Sequence, residues 1–278
     1  MKKTISLLLA LMMVLSLCAC GAKEEPAPAP AAEAPAAEAP AAEPTDSEYV
    51  KSKGVLVVGI TDFEPMDYKD ADGNWIGFDA DMAKAFAASL GVEVEFVEIN
   101  WDSKELELDG KTIDCVWNGM TLTDEVKSAM ECSNAYCNNA QVVVVPKDKA
   151  DAAQSVEAIK DLQFAAEAGS AGEAEINALG YACTPVLAQA DALMEVAAGT
   201  SDAAVIDALM AAAMVGEGTG YEDLTYTISL NSEEYGVGFR KGSDLAVALN
   251  EFFAAAYADG SMIECAETYK VQAALIEQ

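Results

Sequence analysis

From Val55 onward, short apolar runs alternate with longer amphipathic stretches. Val55-Leu56-Val57-Val58-Gly59-Ile60 is continuously apolar, the pattern of a strand covered on both faces as in parallel sheets. Asp79 is placed to cap a helix over Ala80 to Leu90, whose Ala83, Phe86 and Leu90 share one face and which Gly91 ends. Val92, Val94 and Phe96 then alternate with Glu93 and Glu95, predicting a second strand with one drier face. Similar apolar units recur at Ile113 to Trp117, Gln141 to Val145, Gln163 to Ala166 and Ala203 to Ile206, with Ala-rich helical stretches between them. This alternation predicts an α/β fold with mainly parallel sheets. A last helix is expected from Ser243 to Ala258, packed through Leu245, Leu249, Phe252 and Ala256 and ended by Gly260. The length of this region favours two lobes over one core.

The segment before Val55 has a different character. Met1-Lys2-Lys3 followed by the apolar run Ile5 to Leu17 has the basic start and short apolar core of a secretory signal, expected over residues 1–19. Leu17-Cys18-Ala19-Cys20-Gly21 resembles a bacterial lipobox, with Cys20 as the lipid attachment site because Ala19 is small where Leu17 is bulky. An ordinary signal peptide that happens to contain Cys is the alternative. Residues 20–46 then read as the lipidated Cys and an Ala/Pro/Glu-rich linker, able to hold a folded domain up to ~80 Å from an anchor. The expected location is extracytoplasmic, on a cell membrane and facing outward.

Charge and composition narrow the chemistry further. Lys and Arg total 16 against 47 Asp and Glu, a formal net charge of -31, which argues against nucleic-acid partners. The sequence contains no His, and Arg240 is its only Arg, so His-based catalysis, His-metal sites and arginine clusters are excluded. Beyond Cys20 the cysteines are Cys115, Cys132, Cys137, Cys183 and Cys265, an odd number that cannot all pair internally. Cys132 and Cys137 read as small buried apolar residues, a single disulfide between them being the alternative. Asp70-Ala71-Asp72-Gly73-Asn74 looks like the start of a calcium loop, but Gly73 comes too early and a turn between strands explains it better. No metal and no cofactor are expected.

Six segments together carry a family resemblance: Asp62-Phe63-Glu64-Pro65-Met66-Asp67-Tyr68, Gly77-Phe78-Asp79-Ala80-Asp81, Asn118-Gly119-Met120-Thr121-Leu122-Thr123-Asp124-Glu125, Ala168-Gly169-Ser170, Ala203-Ala204-Val205-Ile206-Asp207 and Glu234-Tyr235-Gly236-Val237-Gly238-Phe239. In this order and spacing, from Val55 to about Gly242, the chain resembles the amino-acid-type (family 3) solute-binding proteins of bacterial ABC importers. The resemblance implies a two-lobed periplasmic-binding-protein-like (type II) fold with two hinge crossovers, near Asn139 to Val143 and Ile228 to Tyr235. Lobe 1 would comprise residues 47–141 and 232–278, and lobe 2 residues 142–231. It implies a monomer that captures an amino acid or amine-bearing solute and delivers it to an ABC permease and its ATPase.

The same resemblance assigns residues to the cleft. Phe63 and Trp101 match positions whose rings wall it, with core packing as the other reading. Asn118, Gly119 and Thr121 fall in the loop that offers a backbone carbonyl, an amide and a hydroxyl to the ligand. Ser170 and Ala171 start the helix that opens lobe 2, whose unpaired N–H groups can hold a carboxylate, although Ser170 could equally serve as a plain N-cap. Asp207 matches the aspartate that receives the ligand's ammonium; its other reading is a cap for a helix from Ala208 to Val215.

Two positions depart from the family. Val126 stands where an Arg normally clamps the ligand's carboxylate, and adjacent Lys127 is expected to face away. Glu167 occupies a cleft position often basic or neutral in relatives. Both shift the cleft toward negative, so a ligand richer in ammonium than in carboxylate is expected: a basic amino acid, an amine or a derivatised amino acid. The chain reads as a binding protein and not an enzyme; a cyclohexadienyl dehydratase-like enzyme on the same scaffold and an extracellular sensor module are the alternatives.

Overall fold

The structure, a computed structural model, describes residues 44–278. The expected signal peptide, Cys20 and the tether through residue 43 lie outside the described residues. The tether reading runs slightly too far, because Thr45 caps the helix Asp46–Lys53 in a reciprocal pair with Glu48.

Two sheets make two lobes. In lobe 1 the strand Val55–Ile60 runs parallel to Glu93–Glu98 on one side and Cys115–Thr121 on the other. The strand Glu233–Phe239 pairs antiparallel with Cys115–Thr121, and the short strands Glu131–Cys132 and Cys137–Asn139 pair antiparallel with it. Lobe 2 repeats the scheme: Gln163–Glu167 lies parallel between Ala182–Val186 and Ala203–Asp207, Gln141–Pro146 pairs antiparallel with Ala203–Asp207, and Leu224–Ser229 pairs antiparallel with Gln141–Pro146. The sheets are therefore mixed, not mainly parallel. The strand that follows each crossover, Gln141–Pro146 or Glu233–Phe239, arrives from the other lobe and so enters its sheet from the opposite end.

The chain leaves the first sheet after Asn139, joins the second at Gln141, and returns between Ser229 and Glu233. Both crossings are thus short connections between strands of the two sheets, as at a hinge.

Helix Phe78–Leu90 packs on lobe 1 through Phe78, Met82, Ala83 and Phe86, and Gly91 ends it in the left-handed conformation. Gly77, not Asp79, stands at its N-cap, and Asp79 is buried inside the first turn. In the last long helix, Leu245–Asp259, the inner aromatic is Phe253, while Phe252 is only partly buried. Phe253 meets Trp117 edge-on, with ring centroids 5.6 Å apart, and Tyr136 at the same separation. The Asp70 segment is the turn between strands Tyr68–Lys69 and Trp75–Ile76, and its carboxylate accepts from the amides of Asp72 and Asn74. The five described cysteines, Cys132 and Cys137 included, are all free thiols.

Arg240, the single arginine, ties lobe 1 together from below. It pairs with Asp46 and Asp114 and donates to the carbonyls of Leu108 and Ile113. Lys53 adds a second cation to Asp114 at 2.6 Å.

Candidate functional site

A cavity of about 640 Å³ lies between the lobes. Lobe 1 lines it with Trp101, Asn118, Gly119, Thr121 and Val126, and lobe 2 with Glu167, Ser170, Ala171 and Asp207. Nine of the ten expected positions therefore meet here. The tenth, Phe63, does not line the cavity: it is 1% exposed and packs edge-on against Tyr235 beneath Gly119. Core packing, its alternative reading, is what the structure gives.

The floor is the end of strand Cys115–Thr121. Asn118 is fully engaged within lobe 1, accepting from the amide and hydroxyl of Thr61 and donating to the Thr61 carbonyl and to Asp67. Gly119 has φ +55°, and a Cβ there would come within 2.5 Å of the Phe63 ring, so the floor can pass at this point only as glycine. Its amide donates to Asp79 at 2.7 Å, and the Thr121 hydroxyl donates to Glu233 at 3.0 Å. The amide and hydroxyl expected to face a ligand are thus spent on the protein. Asp79 also accepts from Tyr136, so the acid read as a helix cap is instead the support beneath the floor. Burial pushes its carboxyl up to about 7, and that of adjacent Asp67 well above the usual range.

In lobe 2, apolar strands deliver the acids. Gln163–Glu167 and Ala203–Asp207 are buried through most of their length and end at the cleft, where α/β sheets place their ligands. Asp207 precedes the helix Ala208–Met214 but makes no capping bond. Its carboxyl instead accepts from Tyr235 at 2.6 Å, Gln141 at 3.0 Å, Asn139 and Gln189. Burial pushes it up to about 7, with the negative charge of Glu233 adding to the effect. Glu167 has fewer partners: its buried Oε1 accepts no hydrogen bond from any described residue. Burial pushes its carboxyl up to about 8.

Ser170 caps the helix Ala171–Leu179 by accepting from the Glu173 amide at 3.1 Å. The amides of Ala171 and Gly172 find no acceptor among the described residues, as expected at a helix start. Val126 is an apolar patch of wall, packed with Trp101, Met120 and Met130.

Sequence reasoning did not find the residues that bracket Asp207, namely Asn139, Gln141, Gln189, Glu233 and Tyr235, nor Lys104, whose buried ammonium faces the cavity. The bracket comes from separate segments without a shared period. Lys104 carried one usable signal, a cation standing alone among Asp102, Glu105 and Glu107.

The lining carboxyls are Asp102, Glu105, Asp109, Glu125, Glu167, Glu173 and Asp207, against the single ammonium of Lys104 among the described residues. Such a wall favours a cationic guest. No group of His, Cys, Asp or Glu among the described residues is arranged to hold a metal ion. Among them, too, no helix is long and apolar enough to cross a membrane.

Known proteins are similar to this chain in sequence and architecture. The probable histidine-binding protein of Neisseria gonorrhoeae is 29% identical over 255 residues, covering 90% of this chain and 88% of its own. A mutant of ArgBP from T. maritima superposes with a TM-score of 0.76 at 32% identity, covering 81% of this chain and 98% of its own. AncCDT-1, described as an ancestral amino acid-binding protein and a precursor of cyclohexadienyl dehydratase, does so with a TM-score of 0.73 at 30% identity, covering 80% and 98%. Residues 56–272 match the model of one family. The chain belongs to the bacterial extracellular solute-binding proteins, family 3.

Proposed function

We propose that this chain is the substrate-binding component of an ABC importer, and that it captures a cationic amino acid between its lobes and delivers it to the permease. In this reading residues 47–141 with 232–278 and residues 142–231 close on the solute as a monomer, and Cys20 holds the protein to the outer face of the membrane by lipid. The ligand's ammonium goes to Asp207, its carboxylate to the helix start at Ser170 and Ala171, and Trp101 and Val126 give the apolar wall. The observation that carries the preference for a cation is Glu167, a buried carboxyl on the cavity wall with one oxygen that no described residue satisfies. Relatives support the class: one is named for histidine, and ArgBP of T. maritima is described with arginine bound.

The cleft is read as binding without chemistry. Among the described residues its titratable side chains are carboxyls and one lysine, and none of the described thiols lines the cavity.

Thermal melting against a panel of amino acids, amines and polyamines tests the reading. A ligand present at 100 times its Kd adds about 2.7 kcal/mol of stability, so cationic amino acids should raise Tm visibly. Stabilisation by acidic or small neutral amino acids, with no response to cationic ones, would refute it.

A further inference from the structure

Lys104 opens the helix Lys104–Asp109, directly after the tight turn Trp101–Ser103. A surface lysine ordinarily buries its stem and leaves its ammonium in water. This one is turned inward and is 9% exposed. Its Nζ donates to the Trp101 carbonyl at 3.3 Å and, across the cleft, to the Gly169 carbonyl at 3.2 Å. It also lies 5.1 Å from the Trp101 ring centroid.

These contacts leave the charge poorly matched. An ammonium has three N–H donors, and two rather long bonds to neutral carbonyls use only two of them. None of the described carboxylates forms an ion pair with it. A buried cation whose carboxylate neighbours, Glu105, Glu167, Asp102 and Glu125, act on it only from beyond ion-pair distance is expensive to keep charged.

The opposite wall is complementary. The bond to Gly169 brings the ammonium beside the start of the helix Ala171–Leu179, where the amides of Ala171 and Gly172 have no described acceptor. A cation and two aligned N–H groups together form a receptor for an anion the size of a carboxylate. On the same wall the unsatisfied Oε1 of Glu167 calls for a donor, so the cavity presents one anion-seeking corner among several cation-seeking groups.

We propose that Lys104 is the carboxylate anchor of this cleft, doing from the same lobe 1 wall what Val126 cannot, and that it commits the site to free amino acids over amines and amides. The inference rests on the cleft being the amino-acid site proposed above. It narrows that reading, because a simple amine would leave Lys104 without its counter-ion.

The test compares L-arginine, L-lysine and L-histidine with their carboxamides by calorimetry on the wild type, Lys104→Met and Lys104→Arg. The wild type should bind the tightest acid roughly 30-fold or more above its amide, the effect of a desolvated charge pair. Lys104→Met should lose that preference, weakening the acid far more than the amide. Lys104→Arg should keep it. Equal binding of acid and amide by the wild type overturns the proposal without recourse to any variant. Full preference retained in Lys104→Met, or equal weakening of both ligands, also overturns it, the latter marking Lys104 as merely structural. Failure of the wild type to bind any of the six compounds defeats the reading of the cleft itself.

Discussion

Asp207 and Glu233 are held by the same two side-chain amides: Asn139 and Gln141 each donate to Asp207 Oδ1 and to Glu233 Oε1. Asn139 and Gln141 flank the first crossing between lobes, and Glu233 begins the strand after the second. The proposed ammonium receptor is therefore bonded to both hinge strands, and filling it bears directly on the segments that let the lobes move.

Asp207→Asn tests that arrangement. The substitution puts an NH₂ group among four donors, so the free protein should lose about 1–3 kcal/mol in urea unfolding. Stabilisation by a cationic amino acid should vanish with it. A variant that responds to ligand as the wild type does would remove Asp207 from the site.

Acidity should matter in a defined sense. Folded Glu167 and Asp207 hold protons up to about 8 and about 7, against ordinary values of 4.5 and 3.8. Across that window the folded state binds more protons than the unfolded chain, so stability falls as pH rises. The free protein should melt higher at about pH 5 than at about pH 8.5. Ligand affinity should run the opposite way, because a cation selects the ionised carboxyls and expels their protons. Calorimetry in buffers of different ionisation heat would reveal the release; none at about pH 6.5 would contradict the assignment.

Glu233→Gln separates the hinge charge from the hinge geometry. Its amide oxygen can still accept from Asn139 and Gln141, while the negative charge that raises Asp207 is gone. The pH at which ligand affinity reaches half its plateau should move down, and an upward shift would show that Asp207 is not the titrating group.

Gly119→Ala should disturb the floor without altering any charge. Positive φ and the Phe63 ring 2.5 Å from the new methyl both oppose it, and a loss of about 1–3 kcal/mol in urea unfolding is expected. An unchanged midpoint would mean that the loop shifts freely.

The sequence carried the scaffold well because its signals are local. An apolar run such as Ala203 to Ile206 marks a buried strand, and the residue that ends it, Asp207, is thereby placed at the carboxyl edge of the sheet. Asp79 shows the limit of local reading. Its position invites a capping role, yet a tertiary partner, the Gly119 amide, claims its carboxylate. Phe63 likewise lies close to the cleft but faces Tyr235. The polar bracket around Asp207 was illegible for a different reason: Asn139, Gln141, Gln189 and Tyr235 converge only when both sheets are assembled. Lys104 was hidden by its acidic neighbours in sequence, among which a lysine reads as an ordinary solvated charge.

Arg240→Met should cost about 3 kcal/mol, at the low end for a broken buried pair because Lys53 stays with Asp114. Urea unfolding would check the size, and ligand selectivity should be unaffected.

The grip of Arg240 on both carboxylate oxygens of Asp46 has a mechanical meaning as well. It rivets the first described helix to the underside of lobe 1, so a pull arriving along the preceding chain is borne by that lobe. In the proposed closing motion lobe 2 would carry none of that pull.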